Sequence, residues 1–174
     1  EQDTDVMYVG RLHPEKNIGS LLSAVNGLKS LRVNIIGSGP LFNASPSGPD
    51  TGTQIRWLGN VANSGLPDLY CRSKLFVLPS FHEGHPKTLI EAMSCGMAVI
   101  GADSPGIREL IRHGETGWLC GTDAESIREA IEYLLARPGL REKMGKNARE
   151  YVVENFALER VVEMEMGVYR EVLG

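Results

Sequence analysis

The chain alternates short apolar runs with stretches of helical spacing. Short apolar runs bounded by turn residues are typical of buried β-strands, and six runs occur, at 6–10, 31–37, 54–59, 74–80, 97–102 and 116–120, of which the first three end at a glycine. Between the first two runs, residues 16–28 carry apolar side chains at the period of a helix. This alternation predicts an α/β fold: a doubly wound, mostly parallel, Rossmann-like sheet with right-handed crossovers.

The C-terminal part of the chain changes to a helical pattern. From Asp123 onward the pattern predicts helices over 123–138, 139–156 and 157–173, with Pro138 and Gly139 separating the first two. Residues 43–53 are rich in Gly, Ser and Pro, which predicts a surface loop.

The composition limits the possible functions. At 174 residues we expect one domain, and a net charge of −4 gives no reason to expect nucleic-acid binding. No stretch approaches the ~20 apolar residues that a membrane span needs. The chain starts at Glu1 without an initiator methionine, so we expect it to be a piece of a longer protein.

The three cysteines do not have the spacing of metal ligands. Cys71, Cys95 and Cys120 are far apart, and each lies in an apolar helix or strand context. We therefore expect reduced, buried thiols in a reducing compartment, and no metal site.

The most informative segment is PSFHEGHPKTLIEAMSCG, residues 79–96, which follows a predicted strand. Pro86 suits the first position of a helix and Gly96 suits the position just past its end, so we predict a short helix over 86–95. Its N terminus would open at the carboxyl edge of the sheet, where α/β folds bind ligands.

The backbone at this helix start is suited to phosphate. The amides of Lys87, Thr88 and Leu89 are expected to have no intrahelical acceptor. Free N–H groups and the positive end of the helix dipole attract phosphate groups. The segment therefore predicts a pocket for a nucleoside diphosphate.

Charged side chains are expected around the same edge. Glu91 has apolar neighbours in the predicted helix, so we favour a carboxylate that binds ribose hydroxyls over an ordinary helix-face glutamate. Glu83 precedes the helix and is either a pocket carboxylate or a helix-dipole partner. Arg11 and Lys16 follow the first strand, where two cations can meet a diphosphate; the alternative is a pair of solvated loop charges.

Four motifs, in order, resemble one enzyme family. PSFHEGHPKTLIEAMSCGMAVI resembles the E-x7-E signature of retaining glycosyltransferases with the GT-B fold, the glycosyl transferases group 1. YVGRLHPEKN resembles the glycine–arginine and lysine motif of that family, IIGSGPL its second glycine loop, and GIRELIRHGETGWL its later strand and turn. Together the motifs cover nearly the whole chain.

The resemblance implies that residues 1–174 are the C-terminal, donor-binding half of a GT-B enzyme, and that the N-terminal acceptor domain is absent from this chain. Such enzymes transfer a sugar from a nucleotide sugar with retained configuration and without a required metal. The resemblance implies catalytic roles for residues that act on the leaving diphosphate and the donor sugar: Arg11, Lys16 and Glu83. It implies donor-binding roles for residues of the two glycine loops and the helix start: Gly10, Gly37, Gly39, Gly84, His85, Pro86, Lys87, Thr88, Leu89 and Glu91.

Several of these positions have a simpler interpretation. His85 stands at the aromatic position of the family's glycine–aromatic–proline turn, where its ring either fills space or contacts the donor in a pH-sensitive way. Gly37 and Gly39 either line the nucleotide pocket or form a tight strand-to-helix turn. These glycines also resemble a dinucleotide fingerprint, but Phe42 stands where its third glycine belongs, so an NAD site is not expected. Asp3 opens a D-x-D sequence that metal-dependent glycosyltransferases use, but it precedes the first strand, so we interpret it as part of a polar leader.

We expect a UDP- or GDP-linked donor, no cofactor, and little or no transfer by this chain alone. The expected partner is the N-terminal acceptor domain, and the expected location is the cytoplasm, with attachment at the inner membrane face through that domain. Two alternatives remain: a non-catalytic module that binds nucleotide sugars, and a domain of a sugar-nucleotide epimerase.

Overall fold

Six parallel strands form one sheet in the order β3-β2-β1-β4-β5-β6. The structure, a computed structural model, describes residues 2–42 and 52–157 together with positions 162, 166, 169 and 170. The strands are β1 (Thr4–Val9), β2 (Arg32–Ile36), β3 (Gln54–Gly59), β4 (Ser73–Leu78), β5 (Ala98–Ala102) and β6 (Trp118–Cys120). The helices are α1 (Ile18–Val25), α2 (Leu66–Cys71), α3 (Lys87–Ser94), α4 (Ala124–Leu135) and α5 (Pro138–Phe156), with short 3₁₀ turns at Pro14–Lys16 and Asn63–Gly65.

The position of each strand in the sheet explains its sequence. β1 and β5 lie inside the sheet and are buried along their whole length, and burial on both faces favours apolar residues, which make up β5 and, apart from Thr4 and Asp5, β1. β3 lies at an edge and alternates exposed with half-buried residues. Its alternating pattern is that of a strand covered on one face only.

The C-terminal helices pack on the rest of the domain through regular apolar faces. α4 packs against α1, and its buried residues recur at helical spacing: Ile127, Ala130, Ile131 and Leu134. Asp123 caps this helix by accepting a hydrogen bond from the Ser126 amide at 2.9 Å. α5 packs against α3 and β5, so it braces the helix predicted to hold the ligand.

The predicted fold is confirmed: the sheet is fully parallel, and every predicted strand is present within a few residues. The helix predicted over 86–95 is α3, with Pro86 at its N-cap and Gly96 in a left-handed conformation after its end. Pro138 is the first residue of α5, so α4 already ends before the expected break, and Gly139 lies inside α5. The predicted helix over 157–173 and most of the predicted loop over 43–53 lie outside the described residues.

Two expectations were wrong. Thr4 and Asp5 are not a polar leader, because β1 already begins at Thr4 and both residues are buried. Asp5 can be buried because Arg32 and Lys74 neutralise it. Cys71 is exposed, since it is the last residue of the short helix α2, whereas Cys95 is half-buried and Cys120 is buried; all three are free thiols.

Candidate functional site

The centre of the sheet contains a topological switch point. β1 and β4 are neighbours; the chain continues from β1 to β2 on one side and from β4 to β5 on the other. The loops that follow β1 and β4 therefore diverge and leave a crevice at the carboxyl edge, where doubly wound folds bind ligands. The two loops carry the predicted cations and the predicted glutamate Glu83.

A cavity of about 330 Å³ lies at this edge. It is lined by residues that follow β1, β2 and β3 and by the first turns of α3: Val9, Gly10, Arg11, Ile36, Gly37, Ser38, Asn60, Val61, Asn63, Leu66, Lys87, Thr88 and Glu91. Six predicted site residues thus border one space: Gly10, Arg11, Gly37, Lys87, Thr88 and Glu91. The other predicted residues do not line it: Lys16, Gly39, Glu83, Gly84, His85, Pro86 and Leu89.

Lys16 and Glu83, two of the three predicted catalytic residues, lie on different loops and bind each other. The Lys16 Nζ lies 2.8 Å from both carboxylate oxygens of Glu83, and the two side chains are only 15% and 10% exposed. A charge pair with this little exposure is hardly screened by solvent. Any phosphate that binds Lys16 must therefore share this cation with Glu83.

The loop that carries Glu83 is held by its backbone. The Glu83 amide donates to the Pro105 carbonyl at 3.0 Å, and the Phe81 amide donates to the Glu15 carbonyl at 3.0 Å. Gly106, with φ of 84°, passes so close to Glu83 that an added Cβ would lie 1.8 Å from the Glu83 carbonyl oxygen. The loop after β5 thus supports Glu83. The sequence analysis did not predict this support.

Arg11 is much more accessible than Lys16. Its side chain is 76% exposed and pairs with Glu15 at 3.0 Å. Tyr8 supports the same turn, since its hydroxyl donates to the Arg11 carbonyl at 3.0 Å. Burial raises the pKa of Tyr8, with a further contribution from the negative charge of Glu83, so this donor stays protonated.

The two glycine loops pack directly on each other. An added Cβ at Gly37 would lie 1.9 Å from the Gly10 carbonyl oxygen, and one at Gly39 would lie 2.4 Å from the Leu12 carbonyl oxygen. The Leu12 amide also donates to the Ser38 carbonyl at 2.9 Å. Gly37 therefore both borders the cavity and permits close loop packing, whereas Gly39 contributes to the packing.

The N terminus of α3 leaves fewer free amides than expected. The Lys87 amide donates to the His85 carbonyl at 2.9 Å, and the Leu89 amide donates to the Pro86 carbonyl at 3.0 Å. Of the three amides, only that of Thr88 has no acceptor among the residues that the structure describes. The expectation of three free amides was wrong because the loop carbonyls just before the helix accept two of them.

The turn before α3 is only partly accessible. Gly84 and His85 are exposed, whereas Pro86 and Leu89 are buried and anchor the helix start. The ring of His85 lies 6.5 Å from that of Phe156, at the end of α5. The side chain of Leu89 is therefore a core residue, and only its backbone belongs to the helix start.

Glu91, half-buried on α3, is held by a residue that the sequence analysis did not single out. The Tyr70 hydroxyl lies 3.2 Å from Glu91 Oε2 and 3.3 Å from the Thr88 carbonyl oxygen. The ring of Tyr70 belongs to the core. The sequence around this tyrosine gave no signal of the contact, because nothing local in the sequence brings Tyr70 to Glu91.

Asn17 is a second residue of the site that the sequence analysis missed. It adopts a left-handed conformation, with φ of 53°, directly after Lys16. Its buried side-chain amide donates to the Pro79 carbonyl at 3.0 Å and to the Thr122 carbonyl at 2.7 Å. Asn17 thereby joins the loop after β1 to the loop after β4.

Two further findings concern the described part of the chain. No group of three or more His, Cys, Asp or Glu residues there could hold a metal ion. No helix there combines the length and apolar character needed to cross a bilayer.

Comparison with known proteins identifies the family. A model of the family Glycosyl transferases group 1 matches residues 1–151. The chain belongs to this glycosyltransferase family. It is 39% identical over 125 residues to the lipopolysaccharide core biosynthesis mannosyltransferase LpcC of Rhizobium leguminosarum bv. viciae, an alignment that covers 70% of this chain and 34% of that protein. It is 36% identical over 121 residues to N-acetyl-alpha-D-glucosaminyl L-malate synthase of Bacillus anthracis, covering 69% of this chain and 31% of that protein.

Solved structures of other proteins share the fold. Sucrose-phosphate synthase from Thermosynechococcus elongatus superposes with a TM-score of 0.85 at 27% identity, covering 98% of this chain and 45% of that one. HepE of Anabaena, solved in complex with UDP, superposes with a TM-score of 0.81 at 20% identity, covering 98% and 49%. This family member thus has the fold of the C-terminal domain of GT-B glycosyltransferases, and it spans about a third to a half of the length of these four proteins.

Proposed function

We propose that the chain is the donor-binding domain of a retaining glycosyltransferase, which transfers a sugar from a UDP- or GDP-linked donor to an acceptor. The observation that carries the proposal is the cavity at the switch point. Arg11 and the two glycine loops border it on one side, and the start of α3 with Glu91 borders it on the other. Cations, a free amide and a carboxylate around one crevice suit the diphosphate and the ribose of a nucleotide.

The proposed chemistry depends on charge that develops in the leaving group. As the bond from the sugar to the β-phosphate breaks, negative charge grows on that phosphate. Positive groups already in place, Arg11, Lys16 and the Thr88 amide, stabilise this state more than the intact donor, which lowers the barrier. In this proposal these groups neutralise the leaving diphosphate without a required metal.

The proposed role of Lys16 includes its partner. A diphosphate that reaches Lys16 gives this cation a second anionic neighbour beside Glu83. Lys16 has three N–H donors, so it can bind a phosphate oxygen while it keeps one bond to Glu83. We propose that Glu83 stays beside the donor sugar and that the pair sets the position of Lys16 before the donor arrives.

Glu91 is proposed to bind the ribose. It lies one turn of α3 beyond Thr88, and both residues line the cavity. A phosphate at the Thr88 amide therefore places the ribose within reach of the Glu91 carboxylate, which can accept a hydrogen bond from each of two hydroxyls. The UDP complex of HepE, a structural neighbour, supports a nucleotide ligand for this fold.

The proposed enzyme includes an N-terminal acceptor domain. The sucrose-phosphate synthase and HepE structures are about twice as long as this chain, which supports a second domain of similar size. We therefore propose that this chain alone binds the donor and transfers little or no sugar. Three unpaired thiols are typical of a reducing compartment, which supports the cytoplasm as the place of action.

Titration calorimetry tests the proposal. The 174-residue chain is titrated with UDP, GDP and ADP, and with uridine and guanosine as controls that lack phosphates. We expect saturable binding of at least one diphosphate and much weaker binding of its nucleoside. A folded sample that binds none of the three diphosphates refutes the proposal.

A second experiment separates the proposed enzyme from a binding module. The chain is joined to the N-terminal half of its own full-length protein and incubated with the sugar nucleotide whose diphosphate binds best. Release of nucleoside diphosphate that depends on Lys16 supports a transferase. Binding without release indicates a non-catalytic module.

A further inference from the structure

The hydroxyl of Tyr70 contacts the carboxylate that we propose for ribose binding. Tyr70 lies on α2 and Glu91 on α3, and the Tyr70 hydroxyl is 3.2 Å from Glu91 Oε2. The ring is 2% exposed and packs edge-on against Phe76, with ring centroids 5.9 Å apart. Core packing therefore holds the hydroxyl in one place, independently of any ligand.

This hydroxyl has one proton and two acceptors within reach, Glu91 Oε2 and the Thr88 carbonyl oxygen at 3.3 Å. Hydrogen bonds to a carboxylate are stronger than those to a neutral carbonyl, which favours Glu91. Burial, together with the nearby charge of Glu91, raises the pKa of Tyr70 far above neutral. Tyr70 is thus a permanent donor to this carboxylate at any working pH.

The carboxylate keeps capacity for a ligand. Of the residues that the structure describes, Tyr70 alone donates to the Glu91 carboxylate. A carboxylate accepts about four hydrogen bonds, so one bond from Tyr70 leaves room for both ribose hydroxyls. A glutamate side chain without a fixed donor has to lose rotamer freedom when the ribose binds, whereas one already held by Tyr70 loses less.

We propose that Tyr70 is a positioning residue that orients Glu91 and so determines how strongly the domain distinguishes a ribose from a sugar without hydroxyls. The inference rests on the proposed function, since it assigns Glu91 to the ribose. Tyr70 itself does not touch the nucleotide. Its effect on binding is exerted through the orientation of one carboxylate.

The test compares natural and dideoxy nucleotides. Affinities of the 174-residue chain for UDP and GDP, each beside its 2′,3′-dideoxy counterpart, are measured for wild type, Tyr70→Phe and the control Tyr133→Phe, which removes a hydroxyl on α4 outside the cavity. We expect Tyr70→Phe to weaken binding of the natural diphosphate about threefold to fivefold and that of the dideoxy analogue less than twofold. Tyr133→Phe should change neither affinity.

A merely structural role gives a different result. If Tyr70→Phe weakens natural and dideoxy nucleotides equally, or leaves the natural affinity unchanged, the positioning role is wrong. A double-mutant cycle gives a second test: in a Glu91→Ala background, Tyr70→Phe should change the affinity less than twofold, and a full effect there overturns the proposal. Melting temperatures identify any variant whose ring packing is disturbed. For such a variant, the criterion remains the ratio of its affinities for the natural and the dideoxy nucleotide.

The same measurements distinguish this inference from the proposed function. If wild type binds neither UDP nor GDP, the proposed function falls and the role of Tyr70 falls with it. If wild type binds and prefers the natural sugar, but Tyr70→Phe retains the full preference, only the role of Tyr70 is refuted.

Discussion

Charge pairs lie at both edges of the sheet, but the two edges use their charged and polar groups differently. At the amino edge, Asp5 accepts hydrogen bonds from the Arg32 backbone and guanidinium at 2.9 to 3.2 Å and pairs with Lys74 at 2.8 Å. At the carboxyl edge, Lys16 and Glu83 pair one to one, and the Thr88 amide has no acceptor among the described residues.

A cavity is present at each edge, so size alone does not mark the site. The one at the amino ends of β4 and β5 has a volume of about 300 Å³ and contains Lys74 and Arg141 in its wall. Lys74 is already paired with Asp5, and Arg141 donates to the Leu134 and Leu135 carbonyls at 2.7 Å. Charge that is paired within the fold stabilises it, whereas charge that stays accessible at the switch point can bind an anion. The following predictions test this division.

The largest effect is expected on stability, from Asp5→Asn. The variant leaves Arg32 and Lys74 without their shared anion, which should lower the free energy of unfolding by about 2–3 kcal/mol. Nucleoside diphosphate affinity should not change, because the residue lies at the edge opposite the cavity. Denaturant unfolding and calorimetry measure the two quantities, and Asp68→Asn, a largely exposed position, serves as the control. A fall in affinity without a fall in stability would contradict the division.

Acid should destabilise the fold through the same residue, Asp5. Burial alone would raise the pKa of Asp5, but hydrogen bonds from Arg32 and Lys74 outweigh it and lower the pKa from 3.8 to about 2. Because the folded pKa is the lower one, the stabilisation is complete above pH 3.8 and is lost as the pH falls through about 2. The expected loss is about 2 kcal/mol, measured as the difference between wild type and Asp5→Asn, which should converge at low pH. If the unfolding free energies of wild type and Asp5→Asn differ by the same amount at every pH, this prediction is wrong.

At the carboxyl edge we expect effects on binding, and Lys16→Ala should have the largest. Its affinity for the best diphosphate should fall about tenfold, roughly 1.5 kcal/mol, because a charge-assisted hydrogen bond is lost. Arg11→Ala should cost about 0.5 kcal/mol, because Arg11 is largely exposed and solvent screens its charge. Lys146→Ala on α5 is the control.

Unlike Arg11→Ala, Lys16→Ala also leaves Glu83 without a partner at low exposure. We therefore expect a loss of stability of about 1 kcal/mol, which Glu83→Gln in the same chain should largely restore. If wild type, Lys16→Ala and Arg11→Ala bind the diphosphate with equal affinity, both cations are solvated loop charges and do not bind the ligand.

A smaller effect than that of Lys16→Ala is expected from Glu91→Gln, which keeps the shape of the side chain and removes its charge. Affinity for the natural diphosphate should fall about fivefold, roughly 1 kcal/mol, because hydroxyl bonds to a neutral amide oxygen are weaker than those to a carboxylate. The loss should shrink for a 2′,3′-dideoxy analogue. An equal loss for both ligands would make Glu91 a structural glutamate.

Regular structure was predictable because its signals are local. The apolar runs of β1 and β5 and the spacing between Pro86 and Gly96 are read from neighbouring residues, and the strands and α3 followed them closely. Single-residue environments were less predictable. Cys71 is exposed because α2 ends there, and two amides of α3 are already bonded to loop carbonyls, which no periodicity reveals.

The sequence alone predicted the parallel sheet, the crevice at its carboxyl edge and the family. These features were predictable because hydrophobic period and motif order can be read directly along the chain. Tertiary structure decided which polar groups meet: Lys16 finds Glu83 across 67 residues of sequence, Asn17 bonds carbonyls 62 and 105 residues away, and Tyr70 reaches Glu91 across 21. A buried polar group that has lost its water needs a hydrogen-bond partner, because leaving it unpaired is costly. The partner is whichever group the fold brings close, however far away it lies in the sequence.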